Sequence, residues 1–343
     1  MLEIDCSRGE GGGQAVRTSV AMATITGKAT HLTRIRENRP TNGLSKQHCT
    51  AVEAVAAMTG SKVIGNSLGS QELTILPGTE KEYDIVRDVG TAGSITLVLQ
   101  AMMLASRNHE KPVRMDITGG TNVMWAPPID YYKELLFPLM SRTGMNAKLE
   151  ILQRGFYPEG GGRVIVTLDP IGQLKPLAMH ELGKLKAIRG TCFVNNLPEW
   201  LGDQLVAGCE SALGSYDIDI HVDRTEDGTS KGAGMGLVAE YENGYLGSNV
   251  LTSRNHPAKQ AGMDVANDLI RNMESGATMD VHTADQILPY LAMADGDSAF
   301  SVSRISRHLL SQMDTLETFL DVRFGVERRG ELYYFTVTPG AKA

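Results

Sequence analysis

Apolar and polar positions follow the same order in three long stretches of the chain. Each stretch begins with small and apolar residues at helical spacing, and a short strand-like run follows. A second amphipathic helix and two alternating strands complete it. The first halves are "GEGGGQAVRTSVAMATITGKATHLTRI", "DVGTAGSITLVLQAMMLASRNHEKPVRMDI" and "DVHTADQILPYLAMADGDSAFSVSRI". With a further strand before each, the pattern predicts three βαβαββ-type units of about 80 residues.

The second and third units are separated by about 100 residues with elements of their own. The apolar spacing there predicts a strand, a helix, two strands and a helix, in the order βαββα. The predicted fold is therefore an α/β (α+β) protein in which a smaller α/β domain is inserted before the third unit. We expect residues 1–181 and 277–343 to form the repeat domain and residues 182–276 to form the inserted domain.

Composition places the chain in an ordinary globular class. Of its 343 residues, 42% are apolar and 21% are charged. No stretch approaches the roughly 20 apolar residues of a membrane span, and "MLEIDCSRGEGGG" lacks the basic and apolar regions of a signal peptide. We therefore expect a cytoplasmic protein that does not contact a membrane. The four cysteines show no C-x-x-C spacing, which indicates buried free thiols.

The net charge of −7 argues against broad nucleic-acid binding, but the charge is uneven. Residues 1–48 carry seven Lys and Arg against four Asp and Glu, whereas residues 183–275 carry eight against thirteen. A basic anion site can therefore exist outside the acidic segment.

Four glycine clusters punctuate the chain, namely "RGEGGGQ", "VGTAGS", "ITGGT" and "YPEGGG". Glycine frees the backbone to turn sharply and to present amides to an anion, and two of the clusters lead into a helix. They are either phosphate-binding loops or tight turns between repeat elements. None is a Walker A loop, because Lys-Ser/Thr does not follow at the required spacing.

The loop "TRIRENRPTNGLSKQH" concentrates Arg34, Arg36, Arg39, Lys46 and His48. Arginine binds phosphate bidentately, so the loop predicts an anion clamp that Arg17 on the first helix could join. The alternative is a solvated basic surface.

Two further stretches leave alternatives open. "GGTNVMWAPPID" sets Trp125 beside Pro127 and Pro128, which is either a shelf for a nucleobase or core packing. "HTADQ" sets Asp285 one helical turn after His282. A neutral imidazole beside a carboxylate is a competent nucleophile, but the same residues also fit helix capping by Thr283, or Asp285 as a first-turn acid favoured by the helix dipole.

Seven motifs in this order resemble the RNA 3′-terminal phosphate cyclase family over nearly the whole chain. They are "RGEGGGQ", "ENRPTNGLSKQH", "LGSQELTILPG", "GTAGSITLVLQ", "ITGGT" with "PPIDY", "RGFYPEGGG" and "HTADQILP". The resemblance implies a ligase-type nucleotidyl-transfer enzyme that works on ATP and on RNA with a 3′-terminal phosphate. It implies no obligate protein partner.

The resemblance also implies a mechanism in three transfers. His282 attacks the α-phosphorus of ATP, AMP passes to the RNA 3′-phosphate, and the neighbouring 2′-hydroxyl closes a 2′,3′-cyclic phosphate. We expect a phosphate drawn to free backbone amides at the start of the His282 helix.

Further site residues are implied by the same resemblance. The ATP site is implied for Gln100, Pro127, His282, Thr283, Ala284, Asp285 and Gln286. The substrate-phosphate site is implied for Arg17, Arg36, Arg39, Gln47 and His48. Glu10 is implied as a ligand of Mg²⁺ or Mn²⁺.

One departure and two competing functions accompany the resemblance. The family's "GGTD" reads "GGTN" here, so an acid is expected to be missing on the substrate side at Asn122. A related branch without the histidine acts in ribosome assembly, and carboxyvinyl transferases share a related repeat topology. The intact "HTADQ" and the seven motifs favour the cyclase.

Overall fold

The computed structural model describes residues 1–214 and 216–340, in which helices and strands alternate. Its helices are α1 (Gly13–Thr26), α2 (Lys46–Thr59), α3 (Ile95–Ala105), α4 (Ile129–Tyr131), α5 (Phe137–Ser141), α6 (Trp200–Leu213), α7 (Ala258–Glu274), α8 (Val281–Leu291) and α9 (Arg307–Phe319). Its strands are β1 (Leu2–Asp5), β2 (Thr30–Thr33), β3 (Lys62–Ile64), β4 (Leu73–Leu76), β5 (Asp84–Asp88), β6 (Val113–Gly119), β7 (Ala147–Gln153), β8 (Gly162–Leu168), β9 (Leu185–Asn195), β10 (Ile218–Thr225), β11 (Gly232–Tyr241), β12 (Tyr245–Leu251), β13 (Ser298–Val302), β14 (Val322–Arg329) and β15 (Leu332–Pro339). A π-helical turn at Tyr132–Leu136 joins α4 to α5. The predicted mixed α/β fold is confirmed.

The three repeat sheets have the same strand order. The first runs β1-β2-β4-β3 and the second β5-β6-β8-β7, each with a parallel first pair and antiparallel pairs after it. The third runs β13-β15-β14. At the position of the first strand, this sheet has a single parallel bridge between Ala178 and Ala299 in place of a strand. Met179 N donates to Ala299 O there at 2.7 Å. The third sheet therefore borrows backbone that precedes the predicted inserted domain in sequence.

Helices from all three units pack together between these sheets. Helix α1 contacts α2, α3 and α9, and α8 contacts α9 and α3. Close approach is possible because α1 buries small residues such as Ser19, Ala21 and Ala23. The buried side chains of the three units form one hydrophobic cluster, so the helix N-termini of different units are brought to a common region.

Residues 185–274 form a sheet of order β10-β9-β11-β12, and α6 and α7 pack on it around a separate hydrophobic cluster. The domain boundaries themselves stay a prediction. The expected order βαββα is wrong in one respect. The last of the predicted strands is the hairpin β11–β12, so the observed order is βαβββα. The turn of this hairpin closes with Tyr241 N donating to Gly244 O at 2.9 Å. Asn243-Gly244 is a common hairpin turn signal.

Two smaller observations complete the fold. All four cysteines are buried free thiols, as predicted. Within residues 1–214 and 216–340, no helix is long and apolar enough to cross a membrane.

Candidate active site at the helix N-termini

The N-terminus of α1 has no side-chain cap. Its N-cap is Gly12, which supplies no side-chain cap, and its first turn contains no acidic residue. The first amides of a helix have no partners within the helix, and the helix dipole adds partial positive charge there. A Cβ atom at Gly13 would overlap the His48 ring, so glycine is what allows His48 to lie against this helix end.

His48 is held neutral at the start of α2. Its Nδ1 accepts from Ser45 N at 3.1 Å. Burial, and then the charges of Arg17 and Arg36, lower the pKa of His48 to about 3. Because Nδ1 is an acceptor, the ring proton belongs on Nε2, which faces Gly13. His48 therefore offers one donor to a ligand at the end of α1.

A chain of hydrogen bonds links the three units through Arg17. This side chain is 7% exposed, and its Nε donates to Gln100 Oε1 at 2.9 Å. Gln100 Nε2 donates to Gln286 Oε1 at 3.1 Å, and Tyr132 Oη donates to the same oxygen at 3.2 Å. Burial lowers the pKa of Arg17 to about 10, so the guanidinium stays charged at neutral pH. The site thus receives a fixed positive charge.

The predicted arginine loop is only partly free. Arg36 donates to Gly43 O at 2.9 Å, and Arg39 pairs with Glu10. Gln47 Oε1 accepts from Ser94 N at 2.8 Å, which ties α2 to the start of α3. Arg34 pairs with Asp5. The loop is therefore internally paired and keeps Arg36 and Arg39 near the α1 end, and its predicted role as an anion clamp stays a prediction.

Helix α8 begins differently. Its N-cap is Asp280, whose Oδ1 accepts from Thr283 N at 2.9 Å and whose Oδ2 accepts from Thr283 Oγ1 at 2.6 Å. Ala284 N donates to Asp280 O at 3.1 Å. Ala284 N makes the ordinary first bond of the helix and Thr283 N is bound by the Asp280 carboxylate, so the expected contact of a phosphate with free amides at this helix end stays a prediction.

His282 is exposed at the second position of α8, and the other ten residues of this eleven-residue helix are buried. Thr283 and Ala284 turn into the core, where the Thr283 hydroxyl also lies 2.6 Å from Tyr131 Oη. A side-chain role of these two residues toward ATP stays a prediction, and the structure gives them core contacts instead. The proposed capping by Thr283 is wrong, since Thr283 is the residue that is capped.

Asp285 lies one turn after His282 and is 4% exposed. Its Oδ1 accepts from Ser306 Oγ at 2.5 Å. Burial raises the pKa of Asp285 to about 6, although Ser306, His308 and His282 each oppose the rise. Asp285 thus titrates near neutral pH beside the exposed imidazole.

Sequence reasoning missed three polar residues that join this group, Ser306, His308 and Gln14. Ser306 caps α9 and reaches Asp285, as above. His308 Nδ1 lies 2.9 Å from Gln14 Oε1 and 2.8 Å from Glu10 Oε2. Partial burial lowers the pKa of His308, and Asp285 opposes that change. The available signal was the repeat itself, because α2 and α9 both begin with a serine cap followed by a histidine in the first turn.

Asn122 belongs to a buried polar network at the base of the loop that carries Trp125. It is 1% exposed, and its Nδ2 donates to Asp130 Oδ2 at 2.9 Å. Arg154 donates to both Asp130 oxygens, at 2.9 Å and 2.8 Å, and to Asp223 Oδ2 at 2.9 Å. The expected effect of Asn122 on the substrate side stays a prediction, and the structure places this residue in a buried network with Asp130 of α4, Arg154 directly after β7, and Asp223 of β10.

Three of the four glycine clusters meet at one place. Gly120 and Gly160 both approach Ala92 so closely that a Cβ atom would lie 2.5 Å and 2.8 Å from its backbone. These glycines serve close packing of loops, which decides for the turn interpretation at these clusters. Pro127 lies in the same group of loops, and its carbonyl accepts from Thr96 Oγ1 at 2.7 Å. Trp125 is 96% exposed, so core packing is excluded for it.

Comparison with known proteins gives one family. A family model described as RNA 3′-terminal phosphate cyclase matches residues 8–326. A protein of that name from Nitrosospira multiformis is 40% identical over 99% of this chain and 97% of its own length. One from Methanopyrus kandleri is 39% identical over 96% of both chains. A solved enolpyruvyl transferase, NikO from Streptomyces tendae, has a TM-score of 0.39 at 12% identity and covers 98% of this chain and 48% of its own. That likeness is too weak to carry an argument.

Proposed function

The chain belongs to the RNA 3′-terminal phosphate cyclase family, and we propose that it converts an RNA 3′-terminal phosphate to a 2′,3′-cyclic phosphodiester at the expense of ATP. His282 is the proposed nucleophile. The observation that carries this proposal is that His282 alone of the eleven α8 residues is exposed. The exposed ring is accessible to a substrate, and the buried neighbours fix the helix that carries it beside Asp285.

The first step is nucleotidyl transfer to His282. A ring nitrogen of His282 forms a bond to the α-phosphorus of ATP, the bond from that phosphorus to the bridging oxygen breaks, and pyrophosphate leaves. Such transfers depend mainly on positioning and on neutralising phosphate charge. Arg17, Arg36, Arg39 and His48 gather near the open end of α1, which supports their role with the phosphates. Gln47 is proposed beside them.

The second and third steps use the RNA. An oxygen of the 3′-phosphate attacks the phosphorus of the histidine-bound AMP, and His282 leaves with its electron pair. The 2′-hydroxyl then attacks the 3′-phosphorus, AMP leaves, and the hydroxyl proton is lost to a base. AMP is a good leaving group, and the vicinal hydroxyl gains from proximity. Cyclisation therefore requires RNA, because DNA lacks the 2′-hydroxyl.

Asp285, Gln286, Gln100 and Pro127 are proposed to orient ATP. The hydrogen-bonded chain from Arg17 through Gln100 to Gln286 supports this, because it fixes the two amides relative to the guanidinium. Asp285 orients the His282 ring. Thr283 and Ala284 are proposed to act through the helix backbone that they anchor, since their side chains are buried.

Glu10 fits a divalent cation of the Mg²⁺ or Mn²⁺ type. Its Oε2 is buried and has no aligned hydrogen-bond donor, although His308 Nδ1 lies 2.8 Å away. A single carboxylate suffices for an ion that takes its other ligands from phosphate and water. Glu10 would hold the cation, which would neutralise triphosphate charge.

The decisive experiment labels the protein with ATP that is radioactive at the α-phosphate, with Mg²⁺ or Mn²⁺, followed by a denaturing gel. We expect acid-labile label on the wild type and none on His282→Ala. ATP labelled at the γ-phosphate should give no band, and the exposed His180→Ala is the matched control. Absence of label from folded wild-type protein with both metals would defeat the proposal and favour a ribosome-assembly role. A cytoplasmic location is proposed with the enzyme function.

A further inference from the structure

We propose that Trp125 and Tyr157 form a stacking surface for the bases at the 3′ end of the RNA, a surface separate from the phosphate site. This inference rests on the proposed function, because it names how that substrate is held beyond its terminal phosphate. Aromatic side chains that bind successive bases are a general solution for single-stranded nucleic acid.

Trp125 has an unusual environment for its residue type. Its side chain is 96% exposed, and its backbone adopts φ +61°, a left-handed conformation that is uncommon for a bulky residue. The neighbouring Met124 is 59% exposed. Exposing a large indole from a strained backbone brings no packing energy, and such strain occurs most often at functional sites.

The loop that carries Trp125 is fixed at its base. Thr121 N donates to Gly155 O at 2.8 Å, and Ile129 N donates to Thr121 O at 3.0 Å. Thr96 Oγ1 holds the Pro127 carbonyl at 2.7 Å. The exposed indole is therefore presented by a rigid support, which reduces the entropy lost when a base binds.

Tyr157 belongs to the loop that meets this support. It is 76% exposed and lies two residues after Gly155, the residue that accepts from Thr121. Its loop and the Trp125 loop share a base at Ala92, which both Gly120 and Gly160 contact. Two exposed aromatic side chains therefore belong to adjoining loops.

These loops adjoin the proposed phosphate site. Ser94 pairs with Gly120, and Ser94 N is bound by Gln47 Oε1 at 2.8 Å. The exposed Lys46 also approaches Gly90 in the loop that contains Ala92. RNA whose terminal phosphate sits near Gln47 and His48 can therefore place its last bases against this surface, while Lys46 offers charge to its backbone.

Trp200, the other tryptophan of the chain, provides a contrast within the molecule. It is 54% exposed at the start of α6, on the acidic part of the chain, and its backbone is not in the left-handed region. Trp200→Phe is therefore a control for loss of an exposed indole, and it leaves Trp125 as the single tryptophan.

The first measurement uses that single-tryptophan protein. Titration with a short RNA bearing a 3′-phosphate should quench Trp125 fluorescence, and quenching should weaken as salt rises. The reverse protein, Trp125→Phe with Trp200 intact, should show little change. Absence of quenching of Trp125, with the RNA bound by an independent filter assay, would overturn the proposal.

The second measurement separates the RNA step from the ATP step. We expect Trp125→Ala to raise the KM for RNA roughly 5- to 100-fold, with Tyr157→Ala smaller and Trp125→Phe close to wild type, because Phe preserves a π-face. The rise should be confined to RNA, with self-labelling by ATP alone little altered.

The other outcomes of these measurements also test the stacking surface. An unchanged KM for RNA in Trp125→Ala refutes the stacking surface. A raised KM for ATP in self-labelling, without an RNA effect, would assign Trp125 to adenine and refute it as well. If the wild type does not label itself at all, the cyclase proposal fails, and RNA quenching of Trp125 then still tests the surface.

Discussion

Two ends of helices face the same region with opposite chemistry. At the start of α1, an uncapped helix end lies beside Arg17, Arg36 and the buried His48, with Glu10 as the acid of this end. At the start of α8, the carboxylates Asp280 and Asp285 flank the exposed His282. The first end is where we propose that phosphate binds, and the second carries the proposed nucleophile, His282, in an acidic environment.

The difference shows how one residue type acquires two roles. His48 is buried among arginines, where its charged form is strongly disfavoured and the ring serves as a neutral donor. His282 is exposed beside a carboxylate that can orient it. The three predictions below test this opposition, from the largest expected effect to the smallest.

Replacing His48 should change how stability responds to acid. Its folded pKa of about 3 lies below the unfolded value of 6.5, so wild-type stability is complete above pH 6.5 and falls as the pH drops toward 3. The loss attributable to His48 would reach roughly 5 kcal/mol by pH 3. His48→Gln has no histidine to titrate and so lacks this acid-induced loss. The difference in free energy of unfolding between wild type and His48→Gln, measured in urea, should therefore be smaller at pH 4.5 than at pH 7.5. His180→Gln is the control, and a gap independent of pH would contradict the assignment.

Replacing Asp285 should affect stability at higher pH rather than in acid. Its folded pKa of about 6 exceeds the unfolded value of 3.8, so wild-type stability is complete below pH 3.8 and falls as the pH rises toward 6. Asp285→Asn imitates the protonated acid and keeps an acceptor for Ser306. We expect it to be more stable than wild type by roughly 3 kcal/mol above pH 6 and about equal near pH 4. Urea unfolding at both pH values measures this, and labelling by ATP should fall in the same variant.

Removing the α8 cap should give a smaller loss of stability. Asp280→Ala leaves the amides of Thr283 and Gly247 without their acceptor, at a cost of about 1–2 kcal/mol. Ser94→Ala, which removes a cap bond of 3.3 Å at α3 and a hydroxyl contact with Thr96 at 2.8 Å, should cost less because no charged acceptor is lost. Thermal unfolding measures the stability lost in each variant. Equal losses would mean that the Asp280 cap stabilises the protein no more than the Ser94 cap does.

The repeat architecture could be predicted because helical spacing and strand alternation are local signals. The β11–β12 hairpin was missed although Asn243-Gly244 marks it, and the Ala178–Ala299 bridge has no local signal at all, since its partners lie about 120 residues apart.

The candidate site could likewise be predicted only in part. Family motifs pointed to Arg17, Gln100 and Gln286, which the fold joins by hydrogen bonds. His308 and Gln14 lie 294 residues apart, and only tertiary packing brings them together. The burial of Thr283 is likewise set by its contacts with Tyr131 and Asp280.

The buried network around Arg154 has a consequence for sequence divergence. One guanidinium there is shared by Asp130 and Asp223, and Asn122 adds a neutral amide. An aspartate at position 122 would place a third carboxylate around a single buried cation, which is costly without compensation. We therefore expect positions 122 and 223 to drift together among relatives, an acid gained at one accompanied by an acid lost at the other. The two parts of the chain that meet at Arg154 would then evolve as one electrostatic unit.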